Sequence, residues 1–376
     1  MPEKKKLSKN IIAMLIILAI SAAANITAAL SESAADFYMK RIFAPISDII
    51  CSVTGILPFS LGEILIVLGI LLLISAPFIV IIGAVKKKKR LLKGFGIFFG
   101  WVLIYIIFTE TFNCFVLYRT TEFSPKYHNS AGAAGFTKEQ LSELCEETIL
   151  SANALAEEIS RDEKGDMLLP ENFDNIAERA MNILSEEYPE LKGVCPAPKK
   201  INGAVMTSFD LQGVYFPFTL EANYNKALSP ARVPCTVMHE LSHLKGFIRE
   251  DEAGFIAYRA CLESEEPEVR YSGHISAMNY LLSACKKSLP YDEYVRLCSL
   301  VSPLVRQDNT FVSEEYMEYI RQKAVIPTEK TQAVSAKAID TTLKIGGVSD
   351  GKKSYGRMTD LLLEYRYYVK GSPTSP

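Results

Sequence analysis

The apolar residues of this chain crowd into its first third. Residues 11 to 30 (IIAMLIILAISAAANITAAL), 61 to 85 (LGEILIVLGILLLISAPFIVIIGAV) and 94 to 118 (GFGIFFGWVLIYIIFTETFNCFVLY) are nearly free of charge. At about 1.5 Å of rise per residue, each is long enough to cross the ~30 Å hydrocarbon layer of a bilayer. The first follows Lys4, Lys5, Lys6 and Lys9 and reads as an anchor; the alternative is a cleaved signal peptide, given the small residues of AISAAA. The other two form a hairpin, with Trp101 and Tyr118 as expected interface aromatics. Between them stand Lys86, Lys87, Lys88, Lys89, Arg90 and Lys93, a basic loop that the positive-inside rule assigns to the cytoplasm. Residues 31 to 60 and everything after Tyr118 then lie outside, whichever way the first segment is read. The intervening stretch DFYMKRIFAPISDIICSVTGILPFS reads either as lying along the outer membrane surface or as a packed loop. Glu110, near the outer end of the third span, reads either as a functional carboxylate or as one reaching the interface.

Beyond residue 119 the pattern changes to that of a water-soluble domain. KEQLSELCEETILSANALAEEIS places Leu141, Leu144, Thr148, Ala152 and Leu155 on one helical face, and a second amphipathic helix runs from Glu171 to Tyr188 after Pro170. VCPAPKKINGAVMTSFDLQGVYFPFTLEANYN, broken by Pro and Gly and rich in Val, Tyr, Phe and Thr, predicts short strands. Helices resume in YSGHISAMNYLLSACKKS and YDEYVRLCSLVSPLV. The tail past residue 325 predicts one or two more, before a disordered GSPTSP. The domains expected are a membrane region over 1–118, an extracytoplasmic domain over 119–370 and a tail over 371–376.

Charge and cysteines narrow the chemistry. With 41 basic and 43 acidic residues the chain carries no field suited to nucleic acid. The 8 cysteines form no CxxC pair, so neither a thiolate metal site nor a redox motif is indicated. Two of the 4 histidines fall in one pentad, His239-Glu240-Leu241-Ser242-His243. On a helix, positions i and i+4 share a face, so both imidazoles can ligate one Zn²⁺, with Glu240 beside the bound water as general base. Zinc and a base together are what metal-assisted amide hydrolysis requires. Val237, Met238, Leu241, Ser242 and Leu244 make this a helix that can be buried, Gly246 supplies its end, and Lys245 stands where an apolar residue is usual.

REDEAGFIAY, residues 249 to 258, resembles the second-helix signature of gluzincin peptidases, and by that resemblance Glu250 is the third zinc ligand. Gly254 stands where those peptidases carry Asp or Asn. Glu252 is the rival ligand. On a helix starting near Glu250, about 100° per residue puts Glu252 on the opposite side. Small residues (Ala253, Gly254, Ala257, Cys261, Ser264) then gather around the Glu250 direction, and Arg259 and Glu263 gather around Glu252, which reads as solvated. The metzincin pattern fails because Arg249 occupies its third histidine. The three spans, PFSLGE, PFTLEANYN, HELSHLKG, REDEAGFIAY and YSGH together are similar to a family of uncharacterised bacterial membrane proteins with a zincin-like domain. The resemblance implies a mainly α protein, with N-terminal transmembrane helices followed by an α+β zincin-like metallopeptidase domain containing a small sheet, in the bacterial cell membrane. His274, Tyr271 and Tyr258 are candidate donors to a tetrahedral oxyanion, His274 foremost. The segment from Gly213 to Asn225 is either a core strand or an edge strand that pairs with extended substrate. The function expected is a membrane-anchored zinc peptidase acting on envelope proteins or peptides. The alternative is a non-catalytic membrane sensor or interaction protein with a structural zinc, a site that has no use for Glu240.

Overall fold

A computed structural model describes residues 8–128, 135–324, 326–346 and 357–370. The predicted tail GSPTSP lies outside them. Three helices, α1 (Lys9–Leu30), α4 (Leu61–Val85) and α5 (Lys89–Glu110), are long and apolar enough to cross a membrane by length and composition. The third begins earlier than predicted, so that Lys89, Arg90 and Lys93 sit on α5 and the connection from α4 shrinks to a tight turn at Lys86–Lys88. There Gly83 lets the Leu92 side chain close against α4. Beyond Glu110 the helix loosens into irregular turns through Arg119.

With Ile42, Ile46, Ile49 and Val53 exposed on one side, residues 31–60 are largely helical rather than a loop. They form α2 (Glu32–Tyr38) and α3 (Ala44–Thr54), which pack onto the domain that follows. Met39, Phe43 and Cys51 are buried with Leu117, Tyr118 and Phe123 in one core shared with the helices beyond. The expected boundary at 118/119 is therefore crossed by the main core, and Tyr118 is buried rather than an interface aromatic. Polar ties reinforce the junction: the Ser47 hydroxyl donates to the Leu244 carbonyl at 2.9 Å, and the Asp48 carboxylate accepts from the Val194 N–H at 2.8 Å.

The remaining helices are α6 (Lys138–Glu158), α7 (Phe173–Leu184), α8 (Gly203–Ser208), α9 (Val233–Leu244), α10 (Glu250–Leu262), α11 (Pro267–Ser288), α12 (Tyr291–Leu300), α13 (Pro303–Asp308), α14 (Glu314–Lys323), α15 (Thr328–Gly346) and α16 (Arg357–Glu364). Helix α6 opens on a capping box of Thr137 and Gln140 and buries Leu141, Leu144, Thr148 and Ala152 as its periodicity predicts. Three strands, β1 (Lys199–Ile201), β2 (Gly213–Phe216) and β3 (Glu221–Asn225), form a sheet ordered β1-β3-β2. β1 runs parallel and β2 antiparallel to the central strand. Helix α9 lies against β2 and β3 on one side and against α10 on the other, with Val237, Met238, Leu241 and Leu244 fully buried.

Candidate metal centre

Gly246 fixes the geometry from below. It adopts φ +92°, and its N–H bonds the His243 carbonyl at 2.9 Å while the Phe247 N–H bonds the Ser242 carbonyl at 3.2 Å, the paired bonds of a Schellman helix end. That turn brings the Phe247 carbonyl to 2.7 Å from His243 Nδ1. Nδ1 carries the proton and donates, which leaves the Nε2 lone pair facing outward. Lys245, the anomalous residue of the motif, is buried here, its Nζ donating to the Val194 carbonyl at 2.7 Å and paired with Asp48 at 3.4 Å.

His243 Nε2 faces His239 Nε2 at 3.1 Å, and His239 Nε2 lies 3.0 Å from Glu250 Oε2. Glu250 opens α10 and reaches back across the turn. One donor atom from each of the three residues falls within 4.8 Å of the others, and this is a group that could hold a metal ion. Two imidazole nitrogens and a carboxylate oxygen are the borderline donor set that suits Zn²⁺. Burial and the charge of His239 push His243 down to about 4, so it stands neutral and able to ligate at pH 7. Burial pulls His239 down too, but the hydrogen-bonded Glu250 carboxylate outweighs it and lifts His239 to about 9. Ligation of a cation by His239 and Glu250 would release the proton that their hydrogen bond holds.

Glu240 is buried on the same helix, directed at β2. Burial, with help from Glu250, raises it to about 8, against the opposing influence of His239 and the Tyr215 backbone N–H. Gly213 makes room for it: a Cβ there would lie 2.4 Å from Glu240 Oε1. The group opens on a cleft of about 780 Å³, walled by β2, by one face of α11 and, unexpectedly, by Glu110, Cys114 and Tyr118 at the end of the third long helix.

The expectation that Glu252 is solvated is corrected by burial. Rather than facing water, Glu252 is 4% exposed, accepts from the Phe123 N–H at 2.9 Å and pairs with Arg249 at 3.1 Å. Arg249 in turn holds the Tyr118 and Thr120 carbonyls. Helix α10 is buried all round, so a charged side on the helical wheel did not mean a solvated one. The oxyanion candidates lie away from the cluster. His274 does not line the cleft: it sits on the opposite face of α11 from Ile275, Ser276, Asn279 and Tyr280, which do, and packs edge-on against Tyr258. The Tyr271 hydroxyl is committed to Asp308 at 2.7 Å. The tyrosine of α11 that does line the cleft is Tyr280, whose hydroxyl is raised by burial and by the Glu250 charge. Its signal in the sequence was the polar stripe Ser276, Tyr280, Ser283 at helical spacing.

A partly buried His-His-Glu group that could hold a metal ion thus opens on a cleft beside a sheet edge, on a chain with three helices long and apolar enough to cross a membrane. The chain belongs to the family described as protein of unknown function (DUF3810), whose model matches residues 38–363, and so covers every residue of the cluster. No curated protein and no solved structure matches it.

Proposed function

We propose that this protein is a membrane-anchored, zinc-dependent peptidase with a zincin-like catalytic domain, His239, His243 and Glu250 holding the metal and Glu240 acting as general base. The observation that carries the reading is the pairing of the ligand cluster with a buried carboxylate one residue along α9, since a purely structural site gains nothing from that carboxylate. Bound Zn²⁺ supplies Lewis acidity to the scissile carbonyl and lowers the pKa of water beside it. A cation next to Glu240 also favours its ionised form, offsetting the burial that raises it to about 8. The Glu240 carboxylate takes a proton from water as the water oxygen adds to the carbonyl carbon. It then delivers that proton to the amide nitrogen as the C–N bond breaks. The edge strand β2 aligns an extended chain along the cleft, and Tyr280 is placed to donate to the developing oxyanion.

The test uses the full chain in detergent or nanodiscs, because Met39, Phe43, Cys51, Cys114, Leu117 and Tyr118 belong to the main core. Zinc is counted by mass spectrometry, and hydrolysis of a degenerate quenched-peptide library is followed. One zinc per chain is expected in both wild type and Glu240→Gln, with hydrolysis in wild type alone. A Glu240→Gln protein that turns over normally overturns the mechanism.

A further inference from the structure

The two ends of β2 sit in different surroundings. Gly213 touches Glu240, whereas the turn after Phe216 is fastened to the long apolar helices. The Asn113 amide donates to the Pro217 carbonyl at 2.6 Å, and the Tyr105 hydroxyl donates to the Phe218 carbonyl at 2.6 Å. The Phe216 ring lies over Gly62 at the start of α4, where even a Cβ would come within 2.7 Å of it. The Glu221 carboxylate, opening β3, accepts the Leu61 and Gly62 N–H groups at 3.1 and 2.8 Å and so caps α4. Tyr105 stands five residues before Glu110, about 7.5 Å down a helix. Its neighbours Ile106, Ile107 and Phe108 are exposed apolar side chains at that level, a surface suited to lipid and not to water. From the metal group to that level, β2 is four residues, or about 13 Å at ~3.3 Å each. On the other flank α15 lies against α8 and the 111–115 turn and lines the cleft through Ile339, narrowing approach from that side.

We infer that the cleft takes polypeptides that are themselves anchored in the membrane, and acts on the short segment just outside their membrane-spanning helix. This rests on the peptidase reading for the cutting, though not for the binding. A chain laid beside β2 has one end at the Glu240 end of the strand and the other at the level of the apolar helices within a few residues. A substrate that already enters the bilayer there satisfies that path, and its tether raises its effective concentration at the cleft. A free peptide gains neither advantage.

The experiment places the full chain in phosphatidylethanolamine/phosphatidylglycerol vesicles. The probes are peptides with a randomised ten-residue segment, either free or joined to a 20-residue apolar helix. Retention on zinc-loaded Glu240→Gln protein measures binding, and wild type measures cutting. The expected result is at least tenfold greater retention of anchored than free probes, with cleavage about three to six residues from the helix. Equal retention of both forms, retention of neither, or cuts spread evenly along the segment overturns the inference. Selective retention of anchored probes without any cleavage leaves the inference standing and sinks the peptidase reading instead.

Discussion

Glu250 and Glu252 are chemically identical and two residues apart, yet the turn of α10 gives them unrelated tasks. Glu250 completes a donor set with His239 and His243, so Glu250→Ala should lose zinc by more than the roughly 10- to 100-fold that losing an outer partner costs, with activity falling in step. Glu252 instead neutralises buried Arg249 and satisfies the Phe123 N–H. Glu252→Ala strands both groups, and a loss of about 3 kcal/mol of stability is expected, read as a drop in thermal midpoint with zinc affinity little changed per folded molecule. A zinc loss from Glu252→Ala with unchanged midpoint would reverse the assignment. Gly213 is the third informative residue, because any side chain there meets the Glu240 carboxylate. Gly213→Ala should retain zinc while kcat falls on the order of 100-fold, the cost of a base displaced by about an ångström. Stoichiometric zinc with unaltered kcat would show that Glu240 has slack that the packing denies.

The helices that carry the site were legible because their signals are local. HELSH lies on an uncharged run closed by Gly246, and α4 was predicted from Leu61 to Val85 by apolar length alone. The docking of residues 31–60 was not legible, since Met39, Phe43 and Cys51 join a core built from segments over a hundred residues distant in sequence, and nothing local marks such a partner. His274 misled for a related reason: a histidine near the motif in sequence turned to the wrong face of α11, a register set by the packing of α11 on α6. The docking of the first segment can be tested through Glu190, which binds Lys40 at 2.7 Å, Lys126 at 3.0 Å and the Tyr127 hydroxyl. Burial pushes Glu190 up, but those partners outweigh it and hold it down to about 2. A depressed carboxyl stabilises above its unfolded pKa, near 4.3, and its contribution fades as pH falls from there toward 2. Wild type should therefore exceed Glu190→Gln in stability at pH 7 by about 1 kcal/mol, with the gap closing between roughly pH 4 and pH 2. A gap that persists at pH 2 in parallel thermal melts would assign the effect to shape and not to charge.

The whole molecule couples a soluble fold to apolar helices without a linker between them. α5 runs from Lys89 to Glu110, and its continuation supplies Cys114 and Tyr118 to the cleft wall, so the cluster and the apolar helices share that wall. Charge predicts their orientation: Lys86–Lys88 and the start of α5 collect six basic residues by Lys93, at the end of the hairpin remote from the cleft. Carrying that cluster across a bilayer is costly, so the basic end should stay in the cytoplasm and the cleft should face outward. Reporter fusions at residue 118 would cut the core in two, and labelling with an impermeant maleimide avoids this. Seven of the eight cysteines are buried, which leaves Cys298 as the background to remove by Cys298→Ser. In that variant, a cysteine replacing Tyr291, 80% exposed on α12, should label in intact cells, and one replacing Lys88 should label only after the membrane is opened. The opposite pattern would put the cleft in the cytoplasm, and with it any substrate segment that the site could reach.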